Sequence, residues 1–193
     1  MDISDFAKTT FSLTDPEFLA ALKQKGTIRK VPKGTRLFSA GEPQTKLPFV
    51  LSGLLRGFLL DQHGTDTTDC FLCRKGEAAM GCYDFGQPSH TYVETLTDST
   101  LLFVPMDLIE YATIHCQEVA QLYRTQTQLA QDKKARHNNA KKLTSVKERY
   151  AWFQAEYPEV DALMRKKQGL QAHVASFVGT APETLSRILN QQK

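Results

Sequence analysis

The end of the chain holds the side chains best suited to acting on another molecule. In "PETLSRILN" (Pro182–Asn190), Leu185, Ile188 and Leu189 recur at i, i+3, i+4, which predicts the inward face of a helix. Glu183, Thr184, Ser186 and Arg187 then fall on the outward side or its flank, offering an acceptor, two hydroxyls and a planar fork of donors. Arginine can bond both acceptors of a guanine edge, and glutamate can accept from the amino group of cytosine. The spacing therefore predicts a helix able to read base edges. Lys166 and Lys167, after Arg165, would meet phosphates, contacts that position a protein without telling sequences apart.

Such a helix needs a neighbour to hold it. In "HVASFVG" the residues Val174, Ala175 and Val178 share one helical face, with small Ala175 where two helices would approach most closely. Gly179 can end that helix in the left-handed conformation. Thr180 is the expected capping residue ahead of Ala181 and Pro182, the pattern of a new helix start that places Thr180 and Pro182 at the interface. Two short helices about a glycine turn form the helix-turn-helix pattern. The same pattern also suits a helical hairpin that closes a bundle.

Other chemistry finds little support. Cys70 and Cys73 form a CxxC, but "TTDCFLC" reads as a strand, where residues three apart point to opposite faces. With Cys82 and Cys116 they read as core cysteines, and no metal is expected. His63, His90, His115, His137 and His173 make no metal pair. No phosphate-cradling glycine loop or nucleophile elbow is present, so the chain is not expected to be an enzyme.

Charge divides the chain in two. From Lys133 on there are twelve Lys/Arg against five Asp/Glu, net +7, whereas residues 1–132 carry twelve against sixteen, net −4. A basic end that holds the candidate reading helix suits a nucleic-acid partner. "MDISDFAKTTFSL" lacks the basic and apolar regions of a signal peptide, and no apolar run would span a membrane, so a cytoplasmic protein is expected.

Nine of the eleven glycines precede residue 87. Short apolar runs between turn signals in this part predict a β-sandwich or barrel, with "DQHG" as a hairpin turn. After Pro105, "MDLIEYATIHCQEVAQLYRTQTQLAQDKKA" contains no Gly or Pro and predicts one long helix. Leu108, Ala112, His115, Val119, Leu122, Gln126 and Leu129 trace a 4-3 repeat, the seam of a coiled coil or the face of a helix packed on its own barrel. "DKKARHNNAKK" predicts a hinge near Asn138.

Barrel, long helix and helix-turn-helix, in this order, resemble the Crp/Fnr (catabolite-activator-like) family of bacterial transcription regulators. "VPKGTRLFSAGEP" (Gly34, Gly41) and "LPFVLSGLLRGFLLDQHGTD" (Gly53, Arg56, Gly64) resemble the family's barrel turns and central hairpin. "SVKERYAWFQAEYP" resembles the helix that opens its DNA-binding domain, and "HVASFVGTAPETLSRIL" resembles its DNA-reading motif. The resemblance runs from about Ile28 to Leu189. It implies an α+β fold with a cyclic-nucleotide-binding-like β-barrel (jelly roll) in 1–105. A long dimerisation helix and hinge would fill 106–137, and a helix-turn-helix domain 138–193. The implied partners are double-stranded DNA, a second copy through Leu108, Val119, Leu122 and Leu129, a small-molecule effector and RNA polymerase. Four residues follow Leu189, so the family's usual trailing β-wing is not expected here.

The family's nucleotide binders carry a Gly-Glu pair, then an arginine and a small hydroxyl residue, which hold the ribose and the cyclic phosphate. Gly76–Glu77 resembles the first half, and Ser89–His90 stands where the second half belongs. No arginine lies between Arg74 and Arg124, and a neutral histidine is a poor partner for a buried phosphate. The effector is therefore expected to be something other than cyclic AMP, or the barrel to be scaffold alone. Two other classes fit the same order of elements: a sensor or adaptor that does not bind DNA, and a barrel enzyme with a helical tail.

Overall fold

The computed structural model describes residues 2–166 and 169–191. Two helices, α1 (Ile3–Phe11) and α2 (Pro16–Lys25), precede seven strands: β1 (Thr27–Val31), β2 (Arg36–Phe38), β3 (Lys46–Ser52), β4 (Leu55–Leu60), β5 (Asp66–Leu72), β6 (Tyr92–Thr95) and β7 (Ser99–Pro105). Six helices follow: α3 (Met106–His115), α4 (Gln117–Ala140), α5 (Val146–Glu156), α6 (Pro158–Lys166), α7 (Gln171–Val178) and α8 (Pro182–Asn190). The chain forms two compact units. One takes the residues up to Leu55 and Leu72–Gln131; the other takes Arg56–Phe71 and the residues from Asp132 on.

The strands form a sheet ordered β1-β7-β3 and another ordered β2-β6-β4-β5. Neither order returns to its first strand. Two open sheets therefore stand where the resemblance implied a β-barrel (jelly roll) and the apolar runs a β-sandwich or barrel; no closed barrel is found. Closure needs one consistent tilt and stagger all round, whereas β2 has three residues and its pairing with β6 shifts register between Arg36 and Phe38. The predicted turn at "DQHG" is present: Gly64 N–H donates to the Asp61 carbonyl, and the Asp61 carboxylate accepts from the backbone of His63 and Thr65.

In the first unit the period-two alternation of strands sorts side chains into two clusters. From β7, Leu102 and Val104 join Leu47, Phe49, Phe6, Phe18 and Leu22, while Leu101 joins Val50, Val31, Phe38 and Val93. The predicted long helix is broken. Cys116 is extended (φ −128°, ψ 112°) between α3 and α4, so one 4-3 stripe cannot run through it. Leu108 and Val119, assigned above to a dimer seam, are 6% and 1% exposed within the core of their own unit, beside Ala112 and Cys116. Their burial there is what the other reading of the 4-3 repeat describes, a helix face packed on its own unit. Leu122 packs partly against this core, and Leu129 is 45% exposed. The expected break near Asn138 falls slightly later, since α4 runs on to Ala140.

In the second unit, Phe71 meets Phe153, Tyr157 and Phe177, with ring centroids 5.9, 5.7 and 5.1 Å away. A capping box starts α5: the Ser145 hydroxyl accepts from Glu148 N–H, and the Glu148 carboxylate accepts from Ser145 N–H. The Tyr150 hydroxyl donates to the Asp161 carboxylate, which also accepts from Arg165 Nε at 2.9 Å, tying α5 to α6.

Candidate nucleic-acid interface

The hairpin of α7 and α8 is built around Gly179, which adopts φ 70°, ψ 52°. Its N–H donates to the Ser176 carbonyl, and Thr180 N–H donates to the Ala175 carbonyl at 2.9 Å. This pair of bonds closes the helix in a Schellman motif. It also explains a difference from expectation. Thr180 is used by the end of α7, so the cap of α8 is Ala181, which has no side chain to bond, and Pro182 is the first helical residue. Proline serves well there, since its missing N–H would have had no helical partner. Gln171 Nε2 donates to the Pro182 carbonyl at 3.0 Å, a brace that no spacing in the sequence announces.

Burial divides α8 as the periodicity predicts. Leu185 is fully buried and Ile188 is 7% exposed, with Val174 and Ala175 fully buried in α7. Leu189 is half-buried. Pro182, Glu183 and Arg187 are exposed; Thr180, Thr184 and Ser186 are half-buried. Glu183 and Arg187, four residues apart, share one side of the helix. Lys166 is exposed at the end of α6, and Lys167 lies outside the described residues. The hairpin thus presents an acid, a guanidinium and flanking hydroxyls on one short helix whose other side is apolar and packed.

The residues expected to hold an effector behave differently. Gly76 adopts φ +87°, and a Cβ there would stand 2.6 Å from Thr10 Cγ2 and 3.0 Å from the Phe11 ring. The Glu77 carboxylate accepts from Cys73 N–H and Arg74 N–H, both at 2.8 Å, and so closes its own turn. Ser89 is 3% exposed, and its hydroxyl donates to the Thr91 carbonyl at 2.6 Å. His90 is exposed, with Nε2 3.5 Å from Cys82 Sγ. The backbone between these residues is held by side chains: Ala78 N–H donates to Gln126, Gly81 N–H to Gln44, and Gln44 in turn donates to the Ala79 carbonyl. The Tyr123 hydroxyl donates to the Tyr83 carbonyl, and its burial pushes the phenol up to about 12. A cleft of about 520 Å³ lies elsewhere in this unit, lined by Lys30, Val31, Pro32, Asp98, Ser99 and Thr100. Among the described residues, no three His, Cys, Asp or Glu side chains stand together as a metal site, and no helix is long and apolar enough to cross a membrane.

Residues 28–112 match the cyclic nucleotide-binding domain family. Over most of its length the chain superposes on FixK2 from Bradyrhizobium japonicum (TM-score 0.71, 21% identity, 86% of this chain and 83% of that one). It also superposes on a protein described as a Crp/Fnr transcriptional regulator from Eubacterium rectale (0.77, 17%, 97% and 87%). The chain has the Crp/Fnr fold. A CooA mutant from Carboxydothermus hydrogenoformans shares it too (0.63, 17%, 93% and 85%). No curated protein sequence matches the chain. The matched domain ends within α3, and the α7–α8 hairpin is the last pair of helices among the described residues.

Proposed function

We propose that the chain is a sequence-specific DNA-binding transcription regulator of the Crp/Fnr type. One observation carries this reading: α8 buries Leu185 and Ile188 and turns Glu183 and Arg187 outward, in the basic half of the chain. The hairpin is read as a helix-turn-helix, with α8 in the major groove. Arg187 and Glu183 select bases there, Thr184 and Ser186 support them, and Lys166 meets phosphate. The protein acts as a homodimer through the exposed part of α4 around Leu129. Its first unit answers an effector other than cyclic AMP.

The test begins with duplexes selected by the protein from a random library, followed by affinity for a selected duplex and its scrambled counterpart. Arg187→Ala is expected to cost about 1–3 kcal/mol on the selected duplex and to relax the choice at one base pair. Lys166→Ala is expected to weaken both duplexes equally and to lower the salt slope by about one unit. If both variants lose affinity equally on both duplexes, α8 does not read bases.

A further inference from the structure

The last carbonyls of a helix have no helical partner, and at the end of α7 they are taken by two side chains from elsewhere in the second unit. His137, on α4, places Nε2 2.8 Å from the Phe177 carbonyl. Arg149, on α5, donates through Nε to the Val178 carbonyl at 2.7 Å and through Nη2 to the Gly179 carbonyl at 3.2 Å. Its remaining nitrogen, Nη1, donates to the Leu143 carbonyl at 2.9 Å. Leu143 belongs to the turn that leaves α4, where its own N–H bonds the Ala140 carbonyl. One guanidinium therefore joins the α7–α8 turn to the end of α4.

The chemistry of this contact depends on arginine. A planar fork can serve three carbonyls in fixed directions, whereas a lysine ammonium is a point charge on a flexible stem. The positive charge also lies at the carbonyl end of α7, where the helix dipole favours it. The position controls α8. Gly179 is the pivot, and α8 has nine residues. With a rise of about 1.5 Å per residue, a tilt of about 10° at the pivot displaces its far end by about 2 Å. Side chains that recognise a ligand need placement to within about 0.5 Å.

We propose that Arg149 is a positioning residue of the nucleic-acid interface: it fixes the α7–α8 turn against the end of α4, and the base selectivity of α8 depends on it. This rests on the DNA-reading function proposed above. It goes beyond that function by assigning selectivity to a residue on a different helix, whose guanidinium donates to three backbone carbonyls.

The test uses the full chain with Arg149→Lys and Arg149→Met, each first shown to be folded by circular dichroism. Both are compared with wild type on a duplex selected by the wild type and on its scrambled counterpart. Both variants are expected to lose about tenfold in the ratio of the two affinities, the equivalent of one base contact. Affinity for the scrambled duplex and the salt slope are expected to stay at wild-type values, and amide exchange at Gly179 and Thr180 to quicken. An unchanged ratio in the two variants, with lowered stability alone, overturns the proposal and leaves the DNA-reading function standing. A ratio restored by lysine but not by methionine overturns the role of the fork. A wild type that selects no duplex overturns the function on which the proposal rests.

Discussion

The α7–α8 hairpin and the turns between Gly76 and His90 were both marked by residue type, yet they use those residues in opposite ways. In the hairpin the backbone is satisfied by backbone, as at Gly179 and Thr180, or by side chains not marked for function, as with Arg149 of α5 and Gln171 of α7. Glu183 and Arg187 are thereby left on the surface. Between Gly76 and His90 two of the marked side chains are themselves used for holding: Glu77 closes a turn and Ser89 bonds Thr91, while Gln44, Tyr123 and Gln126 from outside the segment take up further backbone groups. The difference teaches that a polar residue at a family's functional position reveals little until its nearest unpaired backbone group is known.

The largest way to sharpen this contrast lies within α8. Leu185→Ala is expected to lower the stability of the second unit by about 2–5 kcal/mol, because it leaves a cavity in a closed core. Arg187→Ala, on the outward side, should change stability by less than about 0.5 kcal/mol. Denaturant unfolding compares them, and equal costs would show that the two faces of α8 are not distinct. A smaller effect tests the other region. Glu77→Gln keeps the shape but weakens the acceptor for two N–H groups, and is expected to cost about 1 kcal/mol, on the scale of one hydrogen bond. Its affinity for the selected duplex should be that of wild type. A fall in affinity without a fall in stability would break the contrast.

A pH dependence examines the support beneath the hairpin. Burial pushes the His137 pKa below its ordinary value, outweighing the Phe177 carbonyl and Asp69, which favour the charged ring; Lys141 adds to the lowering. Its Nδ1 has no hydrogen-bond partner among the described residues. Below about pH 6.5 the unfolded chain binds the proton and the folded chain does not, so stability should fall with pH until the folded value is reached. Unfolding midpoints at several pH values measure this, and His137→Asn should flatten the slope; an unchanged slope would assign it to other groups. The smallest expected effect is none at all. Cyclic AMP in a calorimeter should show no micromolar binding, and a micromolar constant would overturn the reading of Gly76–His90.

What the sequence disclosed follows the range over which each cause acts. The turn at Asp61–Gly64 and the two faces of α8 depend on neighbours a few residues away, and both were legible. The break at Cys116 was not. Nothing in "TIHCQEV" interrupts a helix, and the extended residue is fixed by the burial of Ala112, Cys116 and Val119 in one core. The same distinction separates Arg187, visible from its spacing, from Arg149, whose three carbonyl partners come from loops and from a helix 29 residues further on. That the sheets stay open was not legible in the strand pattern either, because closure depends on register between strands far apart in the chain.

The hairpin Arg56–Phe71 gives the second unit an unusual history. During synthesis Phe71 is complete well before Phe153, Tyr157 and Phe177, the rings that surround it. Thr68 N–H donates to Ser176 Oγ across 108 residues. The unit cannot close until almost the whole chain has left the ribosome, and Phe71 waits through that interval without its neighbours. Long-range closure of this kind slows folding, and exposed strands are where aggregation begins. Ordering the α7–α8 hairpin is thus among the last events in the making of the molecule.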